Sequence, residues 1–223
     1  MAKLYFRYGA MGSSKTANAL MVHHNYLEKG QNAILLKPKT DNRDGERIIK
    51  SRMGLAKECD FVEEFLETAD KWISGEDDGW KKLDCVIIDE AQFLTKEQVD
   101  KLALLVDSYD LPVMCYGLRT DFMSNLFPGS KRLMEIADKI EEVPTVCWCG
   151  RRAHFNARVV GGKIVREGEQ VMLGGDEAYV SVCRRHFRSG EVTPTPTRPL
   201  ISRFPSFFME KPIMPSSIRS CVC

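Results

Sequence analysis

A chain of 223 residues has room for one mid-sized domain and a small appendage, and is too short for two large ones. Apolar residues at 43% and charged residues at 28% exclude a disordered or fibrous chain and read as a globular protein. Thirty-two basic against 31 acidic residues leave a net charge of +1, so overall charge gives no reason to expect a nucleic-acid partner. The start, MAKLYFRYGAMG, lacks the apolar stretch of a signal peptide. No window approaches the ~18 apolar residues that would span a bilayer. The expectation is a cytoplasmic protein with no membrane partner.

In chain order, Leu4 to Tyr8 reads as a β-prone strand and Gly9 to Ser14 as a loop. From Lys15, positions Ala17, Leu20, Met21, His24 and Leu27 recur at helical spacing, which makes His24 a packed side chain, and Gly30 ends the helix. Ala33 to Leu36 is a compact apolar run, as for a strand buried on both sides. Residues 39–54 read as a loop. Val62, Phe65, Leu66, Ala69 and Ile73 mark a second helix face. The strand Cys85 to Ile88 runs into two acids, Asp89 and Glu90. Thr95 to Gln98 matches a capping box before a third helix with Val99, Leu102, Ala103 and Val106 on its apolar side. Leu111 to Gly117 is a strand, Arg132 to Ala137 a short helix, and Ile140 to Val146 a last strand.

After Cys147 the pattern changes. Arg158 to Val165 reads as a hairpin turning at Gly161-Gly162, because glycine adopts positive φ without steric cost. A second pair, Gly174-Gly175, precedes a strand at Ala178 to Val182. Five prolines between 194 and 212 erase any period, so residues 191–223 read as a disordered tail. Strands alternating with amphipathic helices predict an α/β fold: a P-loop, RecA-like parallel sheet with helices on both faces, plus a small zinc-ribbon β lasso. The expected division is 1–146 for the nucleotide-binding domain and 147–190 for the zinc-binding one.

Three constellations carry chemistry. Gly9, Ala10, Met11, Gly12, Ser13, Ser14, Lys15 and Thr16 lie between a strand and a helix, the context of a phosphate-binding loop. In such a loop backbone N–H groups and the helix N-terminus face the phosphates, the lysine reaches the β/γ-phosphates, and the threonine hydroxyl coordinates Mg²⁺. Ser14 stands where the pattern has glycine. Either its Cβ forces strain of ~1–3 kcal/mol, or Gly12 takes the unusual torsion. Asp89, at the end of a parallel strand, lies where the sheet brings it beside that loop to hold Mg²⁺, and Glu90 is free to face a substrate. Cys147 and Cys149, with Cys183 and His186 further on, form three thiolates and an imidazole suited to a closed, structural zinc site. Cys85 and Cys115, inside apolar strands, read as inert core.

The stretches AKLYFRYGAM, the lysine loop, SRMGL at 51–55, IIDEAQFLTKEQV at 87–99, LPVMCYGLRTDF at 111–122, CWCGRRA at 147–153 and EGEQVMLGGDEAYVSVCRRHF at 167–187 carry a more specific signal. Through them residues 1–188 resemble the bacterial branch of the zinc-containing tetrameric (type II) thymidine kinases. The resemblance implies an ATP site at Gly9 to Thr16 and Asp89 to Gln92, with Glu90 as the general base for the thymidine 5′-hydroxyl. It implies a zinc-tethered lasso over the base, with Met172, Leu173, Gly174 and Gly175 reading it and Tyr179 close by. Met11, Phe93, Leu118, Phe122 and Phe127 match the family's apolar pocket. ATP, Mg²⁺, structural Zn²⁺, a homotetramer and feedback inhibition by dTTP are implied as well. Two other readings fit the P-loop residues: a RecA-like ATPase coupling hydrolysis to motion, and a nucleotide sensor lacking turnover.

Overall fold

The computed structural model describes residues 1–41, 45–168, 170 and 179–192. The chain runs β1 (Leu4–Tyr8), α1 (Lys15–Glu28), β2 (Ala33–Lys37), the hairpin β3 (Ile48–Lys50) and β4 (Ala56–Glu58), β5 (Asp60–Phe61) and α2 (Val62–Ile73). It continues through β6 (Cys85–Ile88), α3 (Lys96–Tyr109), β7 (Val113–Gly117), α4 (Pro128–Ile136) and β8 (Lys139–Glu142). A smaller set follows: β9 (Thr145–Val146), β10 (Arg152–Ala153), β11 (Phe155–Val160), β12 (Lys163–Val165), β13 (Tyr179–Val182) and α5 (Arg184–Ser189).

The main sheet has the order β5-β2-β6-β7-β1-β8, with every neighbouring pair parallel. β6 is central, and its four residues are each 0% exposed, so both faces are covered. Val86 and Ile88 join Leu4, Phe6 and Val113 in a core closed by α2, α3 and α4. Cys85 and Ile87 point the other way, into a core with Ala19, Leu20 and Leu35 beneath α1. This two-sided covering makes the strands apolar runs and leaves polar residues for the strand ends. Burial pushes the Cys85 and Cys115 thiols above their ordinary range, as expected of inert core groups. The α3 capping box forms: Gln98 N donates to Thr95 Oγ1 at 3.2 Å and Thr95 N to Gln98 Oε1 at 2.9 Å.

The structure corrects several local expectations. On α1 the buried side carries Ala17, Ala19, Leu20 and His23, while Met21, His24 and Leu27 face outward. Small alanines let the helix lie close to the sheet, and that contact sets the phase more strongly than the larger apolar residues. His24 instead pairs with Glu28 one turn on, at 3.4 Å. In α2, Trp72 is buried rather than Ile73, packing edge-on against Phe65 with Nε1 donating to Asp77. The loop expected over 39–54 contains β3, because Ile49 buries against the α1 side of the core. α4 begins at Pro128, whose missing N–H costs nothing in a first helical turn. The strand expected over 140–146 is two strands. Val143 N makes the last bond to Tyr8 O, at 2.7 Å, and Pro144 has no donor to continue the ladder. β8 therefore ends in the main sheet and β9 pairs with β10.

The hairpin forms in the expected register, Val160 opposite Lys163, with Gly161 and Gly162 at φ 58° and 76°. Two positive φ values make a type I′ turn, whose twist matches that of the strands. β13 pairs with the other edge of β11, giving the order β12-β11-β13. The Gly174-Gly175 pair and the proline-rich tail lie outside the described residues.

At the other end of the main site, α4 abuts the turn that follows β6. A Cβ on Gly129 would stand 2.5 Å from Ala91 O and 2.7 Å from Leu94 O, both backbone atoms unable to swing away. Gly129→Ala is therefore expected to destabilise the fold by about 1–3 kcal/mol in denaturant unfolding. Unchanged stability would show that this helix–turn contact is not close-packed.

Candidate active site and metal centre

β1 delivers the loop Gly9 to Ser14, and α1 opens directly on Lys15 and Thr16. Lys15 is buried and folds across the loop, with Nζ donating to Gly9 O at 3.0 Å, Ala10 O at 2.9 Å and Ser13 Oγ at 3.2 Å. Both Gly12 (φ 73°) and Ser14 (φ 60°) are left-handed, so the loop takes both of the torsional solutions considered for it. Ser14 makes no side-chain cap bond; its carbonyl accepts from Asn18 N and Asn18 Nδ2, each at 2.9 Å. Because a Cβ in this region carries a steric cost, Ser14→Gly is expected to raise unfolding stability by about 1 kcal/mol. A decrease would show that the serine hydroxyl contributes more than the torsion costs.

Asp89 follows the last residue of β6, with its N–H bonded to Leu36 O of the neighbouring strand at 2.9 Å. Its carboxyl group is buried, receives the Thr16 hydroxyl and lies in the field of Lys15. Burial and, next, the negative charge of Glu90 push it up to about 7, against the favourable Thr16 and Lys15 contacts. The sheet thus brings together Lys15, Thr16, Asp89 and Glu90, two motifs far apart in sequence. The folded-state value of Asp89 lies above the unfolded one, so its contribution to stability is lost as pH rises through about 7. In metal-free buffer, the melting temperature of Asp89→Asn relative to wild type should therefore climb between about pH 4 and about pH 7 and level off above. A difference independent of pH would contradict this assignment.

Glu90 is also left-handed, φ 53° and ψ 36°. Its carboxylate receives Gln92 Nε2, and Gln92 Oε1 accepts Leu118 N at 3.0 Å. Gln92, fully buried, thus ties Glu90 to the end of β7. Phe93 and Phe127 meet edge to face with centroids 5.8 Å apart. Phe122 is buried beneath the Arg158 guanidinium, 3.7 Å from ring centroid to Cζ. Arg158 Nε and Nη2 donate to Tyr179 Oη at 2.9 and 2.7 Å. Arg158 and Asn156 are buried site neighbours that the sequence reading missed. Both stand on the face of β11 opposite Phe155 and Ala157, which pack in the module's own core, so strand alternation reads them as a polar outer face and gives no signal of their burial. Met172, Leu173, Gly174 and Gly175 lie outside the described residues.

Cys147, Cys149, Cys183 and His186 bring their ligand atoms within 4.8 Å of one another. Cys147 Sγ is 3.3 Å and Cys183 Sγ 3.6 Å from His186 Nδ1, and Cys149 Sγ is 3.9 Å from Cys183 Sγ. Tetrahedral zinc with bonds of about 2.0–2.3 Å sets its ligand atoms roughly 3.3–3.8 Å apart, so the donor set fits. The remaining His186 nitrogen, Nε2, lies 3.6 Å from Glu191 Oε2, and Trp148 stacks on the imidazole at 4.0 Å. Such outer contacts fix the orientation of a ligating ring.

A family model described as thymidine kinase matches residues 2–187. The thymidine kinase of Shewanella oneidensis is 44% identical over 189 residues, covering 84% of this chain and 97% of that protein. That of Enterobacteria phage T4 is 45% identical over 190 residues, covering 84% and 96%. That of Lactobacillus acidophilus is 46% identical over 192 residues, again covering 84% and 96%. The chain belongs to the thymidine kinase family. Its loop, acidic strand end and Cys/His cluster all fall inside the matched span, and the proline-rich tail falls beyond it. Among the described residues no helix is long and apolar enough to cross a membrane.

Proposed function

We propose that the protein transfers the γ-phosphate of ATP to the 5′-hydroxyl of thymidine, giving dTMP. The observation that carries this reading is the convergence of Lys15, Thr16, Asp89 and Glu90 at one edge of a parallel sheet. Phosphoryl transfer needs in-line positioning and charge neutralisation more than covalent help, and these four groups divide that work. Lys15 neutralises the β/γ-phosphates, and the loop amides with the α1 N-terminus cradle them. The Thr16 hydroxyl and the Asp89 carboxylate would hold Mg²⁺, which would supply the remaining positive charge on the phosphates. Glu90 accepts the 5′-hydroxyl proton. Gln92 fixes the Glu90 carboxylate in place, a role consistent with its two amide bonds.

The Phe93–Phe127 pair and Phe122 form the apolar wall for the thymine base, with Leu118 and Met11 beside them. Arg158 orders the Tyr179 hydroxyl at the same wall. The zinc-tethered module that starts at Cys147 supplies the cover over the base expected of the family; Met172 to Gly175, expected to read the base, lie outside the described residues. A cover of this kind keeps water from competing with the sugar hydroxyl. The metal is structural, since four protein ligands leave no open position. The protein works as a cytoplasmic homotetramer inhibited by dTTP. Outward-facing Met21 and Leu27 on α1 supply apolar surface of the kind that subunit contacts use.

The test is purified protein with ATP, Mg²⁺ and labelled thymidine. Wild type should make dTMP, and Glu90→Gln should cut kcat by about 10²–10⁴ while still binding ATP. ATP hydrolysis indifferent to thymidine would instead support a RecA-like ATPase, and nucleotide binding without turnover a sensor.

A further inference from the structure

The zinc cluster and the phosphate loop are linked by a repeated spacing. Thr145 lies two residues before Cys147, and Ser181 two residues before Cys183. Along an extended chain, residues two apart share a face, so each zinc-binding arm presents a hydroxyl on the side of its thiolate. Both hydroxyls are used on the same loop. Thr145 Oγ1 donates to Gly12 O at 3.3 Å, and Ser181 Oγ donates to Met11 O. Between them stands Asn156, buried on β11, whose Oδ1 accepts Met11 N at 2.8 Å and whose Nδ2 donates to Thr120 O at 3.2 Å. Met11 is thus held by its N–H and its carbonyl at once, from two strands of the zinc-bearing module.

These contacts have a directional consequence. The carbonyl of one residue and the N–H of the next are antiparallel in a trans peptide. Holding Met11 O toward the module turns the Gly12 N–H to the opposite side. Holding Gly12 O likewise turns the Ser13 N–H inward, where it closes the loop on Ala10 O at 3.2 Å. A loop with two left-handed residues, Gly12 and Ser14, keeps those torsions only where its surroundings over-determine them, and the bonds from the module are part of those surroundings.

We propose that the zinc-tethered module sets the conformation of the phosphate loop through Thr145, Asn156 and Ser181 as positioning residues, so that the metal governs nucleotide affinity as well as the cover over the nucleoside. The inference rests on the reading of Gly9 to Thr16 as the ATP phosphate site. The module adds no phosphate contact of its own. It selects one loop conformer, in which the Met11 N–H is taken by Asn156, the Ser13 N–H closes on Ala10 O and the Gly12 N–H is turned away from the module.

The experiment measures ADP binding calorimetrically in the presence of Mg²⁺, with zinc content determined on every sample. The paired variant Thr145→Val with Ser181→Ala removes both hydroxyls and no zinc ligand. It is expected to retain zinc at the wild-type level and to bind ADP about tenfold more weakly. The conservative pair Thr145→Ser with Ser181→Thr keeps both hydroxyls and should return affinity to within about twofold of wild type. Cys149→Ser, depleted of zinc, should weaken ADP binding to a similar degree, and combining it with the hydroxyl variants should add little, because both act on one loop equilibrium. Unchanged ADP affinity in the zinc-replete hydroxyl variant, or an equal loss in the conservative pair, would overturn the inference alone. Wild-type protein that fails to bind ADP would overturn the phosphate-loop reading and this inference with it.

Discussion

The structure depends on holding one carboxylate where water cannot reach it. Asp89 caps the most deeply buried strand of the sheet, and burial raises its proton affinity toward neutrality. No isolated fold would gain stability from such a group. The Thr16 hydroxyl and the field of Lys15 act against that rise. Of the four non-glycine residues with positive φ among the described residues, two flank this site. Ser14 and Glu90 both carry a Cβ into the left-handed region, one before Lys15 and the other after Asp89. Each costs about 1 kcal/mol or more, and the covered sheet between them supplies the rigidity that keeps both in place.

The zinc-bearing module solves a different problem. Its core is Ala153, Ala157, Val182 and Phe187 with the thiols of Cys147 and Cys183, too few apolar groups to order such a segment alone. The Cys/His cluster brings the two arms of the module to one point, where a metal bound by the four side chains would make up for the small core. The module also holds buried polar groups: Asn156 and Arg158 sit two residues apart on β11, the first accepting Met11 N from the loop after β1 and the second lying over the Phe122 ring.

Much of this was legible in the sequence because it rests on local rules. The phosphate loop, the acidic strand end, the capping box at Thr95, the Gly161-Gly162 turn and the four zinc ligands each follow from residue type at fixed spacing. Helix phase was less legible. On α1 the sheet selects the alanine-rich side, so His23 rather than His24 is buried, and only tertiary contact distinguishes the two. The break at Pro144 was written in the chain, yet the β-prone Val143, Thr145 and Val146 around it read as one strand. The positions that escaped notice altogether, Asn156, Arg158, Thr145 and Ser181, act through partners more than 20 residues away, or in three of the four more than 100. No local pattern marks a residue whose only role is to grip a distant loop.

The central claim is that one triphosphate and one nucleoside meet between Lys15, Thr16, Asp89 and Glu90. The most direct measurement is a crystal structure with Mg²⁺, a non-hydrolysable ATP analogue and thymidine bound together. The account predicts phosphate oxygens on the amides at the start of α1, the metal beside Thr16 and Asp89, and the 5′-oxygen within hydrogen-bond reach of Glu90. A 5′-oxygen turned away from Glu90, or a nucleotide bound outside the Gly9 to Thr16 loop, would contradict it.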